Sequence, residues 1–589
     1  MVIPANVQPP AASAPIPALG RGRRPVRPSS RRLALLSCTL LLLGICAAGF
    51  AASAPPTDLR NIRHGQPIPL PGLKYADQPY TVALEDGRWL CVMSVGTLGE
   101  NTAGTKNYSV AFTSSDQGWT WSDFVPCNIP YAVPLRTDFG RVYTITPRYF
   151  SFSEDQGRSW SERIAIPACP PQSCWNVGLP LVHRGVVYVP WAEWNDGSRT
   201  VVRFYRSDNV LTERDAQKVH WEMFGELKGP DWHRDRQISE EPHLVALGDG
   251  TFYCVFRTDQ GYICQTTSSD QGATWSTPRR LTYEPGGHHV LKNPRACPSL
   301  WKCANGKYLL WFHNNGTRHW YERNPGWISG GVERDGEIVW SQPEIVMYAD
   351  EIAEISGRIS YPGLLEANGR YFISETSKVR AGVHEINPDL LQQVWSQHER
   401  RTVTRKGLKA EFGPGELSRD RPDLKFPAIP DMIRNQGGFT IDLWLEWADL
   451  SPGQVLLDNR DARGSGIVLR TNLDGALELT LGDSKVTNAW TVDRNVLQPG
   501  RRHHIVAIAD GGPKVILFVV DGVLCDGGAE REFGWGRFSP FLQSPNSDQP
   551  LRLAPRFRGR LTGVRLYNRA VTVSEAIGNF RAGPAPSSP

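Results

Sequence analysis

The chain has 589 residues, too many for one ordinary domain, and it is rich in Trp (20), Gly (56) and Pro (46), which suits turn-rich β architecture and argues against a helical bundle. The formal charge is +5, but Arg21, Arg23, Arg24, Arg27, Arg31 and Arg32 lie in an acid-free stretch of 56 residues, and the rest holds 59 basic against 60 acidic side chains. A near-neutral chain of this kind offers no basic stripe, so a nucleic-acid partner is not expected.

The amino terminus comes first. Its arginines lead into an apolar run from Leu33 to Ala52, followed by the small-residue site Ala52-Ser53-Ala54, the layout of an export signal. Ser30-Arg31-Arg32 weakly resembles a twin-arginine signal. Pro55 disfavours cleavage directly after Ala54, and the run is nearly long enough to span a bilayer. Residues 1–56 therefore read as a signal peptide or a membrane anchor, and the chain as exported to a periplasmic, extracellular or cell-surface site. Nine cysteines outside this segment agree with an oxidising compartment. Proximity suggests the pairs Cys169–Cys174, Cys254–Cys264, Cys297–Cys303 and Cys91–Cys127, with Cys525 left over, although spacing alone does not fix connectivity.

Beyond residue 56 the chain is organised by internal repetition. The pattern S-x-D-x-G-x-x-W occurs at Ser114–Trp121, Ser153–Trp160 and Ser268–Trp275, and degenerate copies run from Ser207 to Trp221 and from Asp335 to Trp340. Each reads as a hairpin turn in which Ser and Asp bond the backbone, Gly supplies a positive φ and the indole packs back. The Trp anchors are 39, 61, 54 and 65 residues apart, a spacing that suits four-stranded propeller blades. Short apolar runs fill the intervals: Trp89–Met93, Val186–Val189, Phe252–Phe256, Tyr308–Phe312 and Tyr371–Ser374. With a closing blade they predict a six-bladed propeller over 57–400, ended by a short helix from Pro388 to Trp395.

Residues 401–430 are charged and Pro-rich and read as a linker. Alternating strands then recur from Phe439 through Val520 to Tyr567. Their order resembles the laminin-G or concanavalin-like sandwich, placed at 431–582, with 583–589 as a tail. The fold class expected is thus all-β: a six-bladed propeller followed by a β-sandwich. No catalytic pattern marks the second domain, whose role is glycan or surface binding or purely structural.

Two motifs in the propeller region carry chemistry. Glu240-Glu241-Pro242-His243 leads into a strand ending at Arg257, and Gly357-Arg358-Ile359-Ser360-Tyr361-Pro362 precedes one ending at Glu375. Together with the repeats, they resemble the sialidase (neuraminidase) superfamily with its Asp-box or BNR repeats. Such enzymes hold a sugar carboxylate with three Arg, attack with a Tyr helped by a Glu, and use an Asp as acid/base. The resemblance makes Tyr361 the nucleophile, Glu241 its proton acceptor, Arg257 and Arg358 carboxylate-binding residues, and Glu375 the acid that orients an Arg. The chemistry is coherent: a guanidinium fork binds a carboxylate bidentately, and a phenol that ionises near pH 10 needs a base beside it.

Two positions depart from the family. Asp77, in Tyr75-Ala76-Asp77-Gln78-Pro79, stands where the first Arg belongs, and Tyr108 stands where the acid/base Asp belongs. Asp77 or Glu100 is the substitute acid. Gln78, His243 and His313 join the expected substrate-binding set. Asn293-Pro294-Arg295, His313-Asn314-Asn315 and Asp231–Arg236 are further candidates for a sugar cleft. No metal site is expected, and no cofactor beyond the structural calcium that related lectin-type domains imply for the sandwich. The reading is an exported glycoside hydrolase for terminal acidic or related sugars, with a non-catalytic glycan-binding propeller and a polysaccharide lyase as alternatives, and a glycan or polysaccharide as partner.

Overall fold

The computed structural model describes residues 58–70, 75–96, 108–166, 173–175, 178–194, 200–227, 239–350, 358–417, 424–429 and 437–584. The apolar amino-terminal run, Cys169, Glu100 and Asp231–Arg236 lie outside them. Among the described residues no helix is long and apolar enough to cross a membrane.

Among the described residues, six antiparallel sheets of four or five strands follow one another between Gln66 and Glu385. Sheet I runs from Tyr75 to Pro126, II from Val133 to Ala165, III from Ser173 to Leu227, IV from Glu240 to Arg280 and V from Ser299 to Met347. Sheet VI takes three strands between Ser360 and Glu385 and a fourth, Gln66–Ile68, from the start of the fold. Sheet I packs against both II and VI, so the arrangement closes on itself as a β-propeller.

The repeated octapeptides build three matching turns. In the first, Ser114 Oγ donates to Asp116 Oδ1 at 2.9 Å and accepts from Gly118 N–H at 2.8 Å, while Thr120 donates its N–H and hydroxyl to the same carboxylate at 2.8 and 2.6 Å. Ser153, Asp155 and Ser159 repeat this in sheet II, and Ser268, Asp270 and Thr274 in sheet IV. Sheet III carries a reduced copy with Asn209 for Asp, whose Oδ1 accepts from His220 N–H at 2.9 Å. In sheet V, Asp335-Gly336 is a plain two-residue hairpin, both residues at positive φ.

The repeated indoles join sheets. Trp121 packs in the core shared by sheets VI and I, Trp160 between I and II, Trp221 between II and III, Trp275 between III and IV, and Trp340 between IV and V. Each repeat thus seals its own sheet to the preceding one. The helix Pro388–Ser396 buries Leu390, Leu391, Val394 and Trp395 against sheets V and VI.

The second domain is a sandwich of a seven-stranded and a five-stranded sheet. The strand Leu408–Phe412, inside the segment read as a linker, pairs with Gly559–Tyr567 and belongs to the larger sheet. That sheet is apolar on both faces. Ile505, Ala507, Ile516 and Phe518 point into the sandwich core, whereas Val506, Ile508, Leu517 and Val519 pack with Trp327, Ile345 and Tyr348 of the propeller. Two buried faces explain why Val515–Val520 reads as an unbroken apolar run. Polar latches reinforce the contact. Glu344 accepts from the N–H groups of Val573 and Ser574, and Lys292 Nζ donates to the carbonyls of Asp526, Gly528 and Arg531.

Three expected disulfides are absent: Cys91, Cys127, Cys254, Cys264, Cys297 and Cys303 are all free and buried. In sheet IV, Cys254 faces Thr266 and Cys264 faces Phe256, so the two thiols are offset by two residue pairs. Cys297 and Cys303 flank the extended strand Ser299–Lys302, which holds them roughly 15 Å or more apart. Cys91 lies inside the second strand of sheet I, opposite Thr81 and Phe112, and Cys127 follows that sheet's last strand. Side-chain packing of Cys as a small hydrophobe accounts for these positions.

Candidate functional site

Three first strands open on the same irregularity. In sheets I, IV and VI, two residues oppose one on the partner strand at Gln78-Pro79, Glu241-Pro242 and Tyr361-Pro362. Gln78, Glu241 and Tyr361 hold φ of 54°, 52° and 47°, left-handed values that cost energy in a side chain with a Cβ and that gather at functional sites. The bulges re-aim these side chains out of the regular alternation.

Two of them meet. Tyr361 Oη donates to Glu241 Oε1 at 2.9 Å. Arg257 Nη1 donates to the same oxygen, and its Nη2 lies 2.8 Å from Glu240 Oε2. Arg295 Nη2 donates to Glu240 Oε1 at 2.9 Å. Arg323 donates to Ser360 Oγ at 3.0 Å, and its guanidinium lies 5.7 Å from the Tyr361 ring centre. Burial works to raise the Glu241 carboxyl, but Arg257 and Arg323, with the hydrogen bonds from Arg257 and Tyr361, hold it below its ordinary value. Burial and then the Glu241 charge push the Tyr361 phenol well above its own. The pair therefore rests with its proton on the phenol and the carboxylate ionised.

In sheet I, Asp77 Oδ2 accepts from Tyr75 Oη at 2.7 Å and lies 2.8 Å from Lys378 Nζ. The Lys378 ammonium sits 4.4 Å from the Tyr361 ring centre. No sequence signal marks Lys378. It lies on the turn after sheet VI's second strand, and only its contact with Asp77 reveals it.

The other expected residues divide. The Arg358 guanidinium covers the Trp320 ring at 4.2 Å. Arg257, expected to grip a ligand, has both terminal nitrogens on protein carboxylates. Glu375, expected to orient an arginine, lies 3.1 Å from His384 Nε2. His243 is buried behind the pair, its Nε2 3.5 Å from Cys297 Sγ, and burial lowers it to about 4. His313 is buried with Nδ1 3.3 Å from the Pro325 carbonyl, and burial lowers it to about 3. Both imidazoles are neutral parts of the scaffold. Asn293 and Asn315 serve backbone groups of the same loops.

Residues 136–373 match the family of BNR repeat-like domains, and residues 423–576 match the concanavalin A-like lectin/glucanases superfamily. The chain joins a BNR repeat-like domain to a concanavalin A-like domain. Among solved structures the chain is similar to the Trypanosoma rangeli sialidase, at 14% identity over 87% of this chain and 94% of that one, with a TM-score of 0.40. It is also similar to a Hadza microbial sialidase, at 16% identity over 53% and 66% with a TM-score of 0.39. A protein of unknown function from Dyadobacter fermentans gives 14% identity over 53% and 95%, with a TM-score of 0.40. No curated protein matches the chain significantly.

Glu240, Glu241, Arg257, Arg295, Arg323, Arg358 and Tyr361 all fall within the matched BNR repeat-like domain, whereas Asp77, Gln78 and Lys378 lie outside its matched span. Among the described residues no group of three or more His, Cys, Asp or Glu is gathered to hold a metal.

Proposed function

We propose that the protein is an exported glycoside hydrolase acting on carboxylated terminal sugars, with Tyr361 as nucleophile and Glu241 as the base that accepts its proton. The 2.9 Å bond from Tyr361 Oη to Glu241 Oε1 carries this reading. A phenol is a poor nucleophile until its proton leaves, and an ionised carboxylate at hydrogen-bond distance is the group that takes it. Tyr361 Oη attacks the anomeric carbon as its proton passes to Glu241, the bond to the leaving oxygen breaks with that oxygen protonated by solvent water, and a second water later displaces the tyrosine, which regains the proton held by Glu241. Sialidases are the recognised glycosidases with a tyrosine nucleophile.

Arg257, Arg295, Arg323 and Lys378 gather near the pair against the carboxylates of Glu240, Glu241 and Asp77, a surplus of positive charge that favours an anionic sugar. Arg358 and Arg323 are the assigned carboxylate-binding residues. Asp77 stands in the site as a hydrogen-bond acceptor, so it is assigned no proton donation to the leaving group. Export rests on residues 1–56. A screen against sialosides and acidic polysaccharides with product analysis tests the proposal, the Tyr361→Phe variant serving as control. Binding without product would favour a glycan-binding propeller, and an unsaturated uronic product would favour a lyase.

A further inference from the structure

The third bulge residue, Gln78, has no part in the proposed reaction. It shares the left-handed φ, the following proline and the two-against-one register of Glu241 and Tyr361. Equivalent backbone geometry in three sheets of one ring throws the three side chains in equivalent directions. Asp77, next to Gln78, lies 2.8 Å from Lys378 Nζ, which itself sits 4.4 Å from the Tyr361 ring centre, so Gln78 adjoins the same cluster.

Gln78 is only 4% exposed, yet its Oε1 is buried without a hydrogen-bond partner. A buried amide oxygen left unpaired is costly, and a donor brought by a ligand would complete it. Left-handed backbone ahead of a proline adds a second cost at the same residue. Two unfavourable features on one side chain that faces a site are what a binding residue retains and a structural one loses.

We propose that Gln78 contacts the ligand, its amide oxygen accepting a hydrogen bond from a hydroxyl or amide N–H of the bound sugar. The inference rests on the saccharide reading of the site. It also divides the site's labour. The sheet I wall carries Gln78 and an Asp77 carboxylate neutralised by Lys378, so it meets the donor-bearing, uncharged part of the ligand. Arg323 from sheet V and Arg358 at the entry to sheet VI are the residues assigned to the anion. Asp77, in place of an arginine, is then part of a wall that recognises hydroxyl or amide groups.

The test uses the full chain, calorimetric titration with free sialic acid, and thermal melting without ligand. Gln78→Met keeps the shape and removes the unpaired oxygen. It is expected to raise the melting temperature by a few degrees while weakening sialic acid binding at least tenfold. A lowered melting temperature would show that the oxygen is satisfied within the protein, and unchanged affinity would show that it does not touch the ligand; either overturns the proposal alone. Failure of the parent protein to bind the sugar overturns the saccharide reading and this proposal with it.

Discussion

Tyr361 Oη and Arg257 Nη1 both donate to one oxygen of Glu241, Oε1. A single carboxylate oxygen thus links a buried phenol to a fixed positive charge. The arginine holds the carboxylate ionised, and the ionised carboxylate is what can take the phenolic proton. Tyr361→Phe is therefore expected to reduce turnover by about a hundredfold or more, while the lost hydrogen bond costs stability of only about 1–3 kcal/mol. Steady-state rates and chemical denaturation of the same preparation measure both.

Because Asp77 receives hydrogen bonds at Oδ2 and is assigned no proton to give, turnover should depend on the leaving group. Aryl glycosides whose phenols leave without protonation should be turned over faster than alkyl glycosides of the same sugar, by roughly the 10²–10⁴ that an acid catalyst supplies. Comparing kcat across a series of leaving groups checks this, and a flat series would return the acid role to the site.

The Asp77–Lys378 pair is buried, with side-chain exposures of 5% and 8%. Removing one partner strands the other, so Asp77→Asn or Lys378→Met should each destabilise by about 3–5 kcal/mol. The double variant should recover much of that loss. Denaturant titration of the four proteins gives the coupling directly.

Two carboxylates give opposite pH signatures. Burial raises Glu344 to about 7, against an ordinary 4.5, even though it accepts the N–H groups of Val573 and Ser574. With the folded value the higher, unfolding releases a proton between about 4.5 and 7, so this contribution is full below 4.5 and is lost as pH rises toward 7. Glu344→Gln should flatten that decline. Asp270 is lowered to about 2 by the hydroxyl and N–H of Thr274, so its contribution is present above about 3.8 and is lost as pH falls toward 2. Asp270→Ala should make the acid limb shallower in thermal melts across pH.

Much of this architecture is readable from residues that act locally. Ser268, Asp270 and Gly272 make their turn with neighbours in the same octapeptide, so the pattern alone announces the fold. Glu241 and Tyr361 could be named because the motifs around them carry the resemblance to the sialidase superfamily. Lys378 and Arg323 could not. Each reaches the site from a turn or loop with no periodicity, and its partner lies far away in the chain. The thiols misled for the complementary reason. Cys254 and Cys264 are close in sequence, but strand register sets them two residue pairs apart, with Val255 and Gln265 paired between them.

The proposed chemistry stands or falls on a covalent bond between Tyr361 and the sugar. Peptide mapping by mass spectrometry probes that bond, after incubation with an activated fluorosugar that carries a carboxylate and slows release of the glycosyl-enzyme. One glycosyl adduct is expected, on the peptide holding Tyr361, and none in Tyr361→Phe. An adduct on another residue, or turnover of the parent substrate with an unmodified Tyr361, would refute the mechanism.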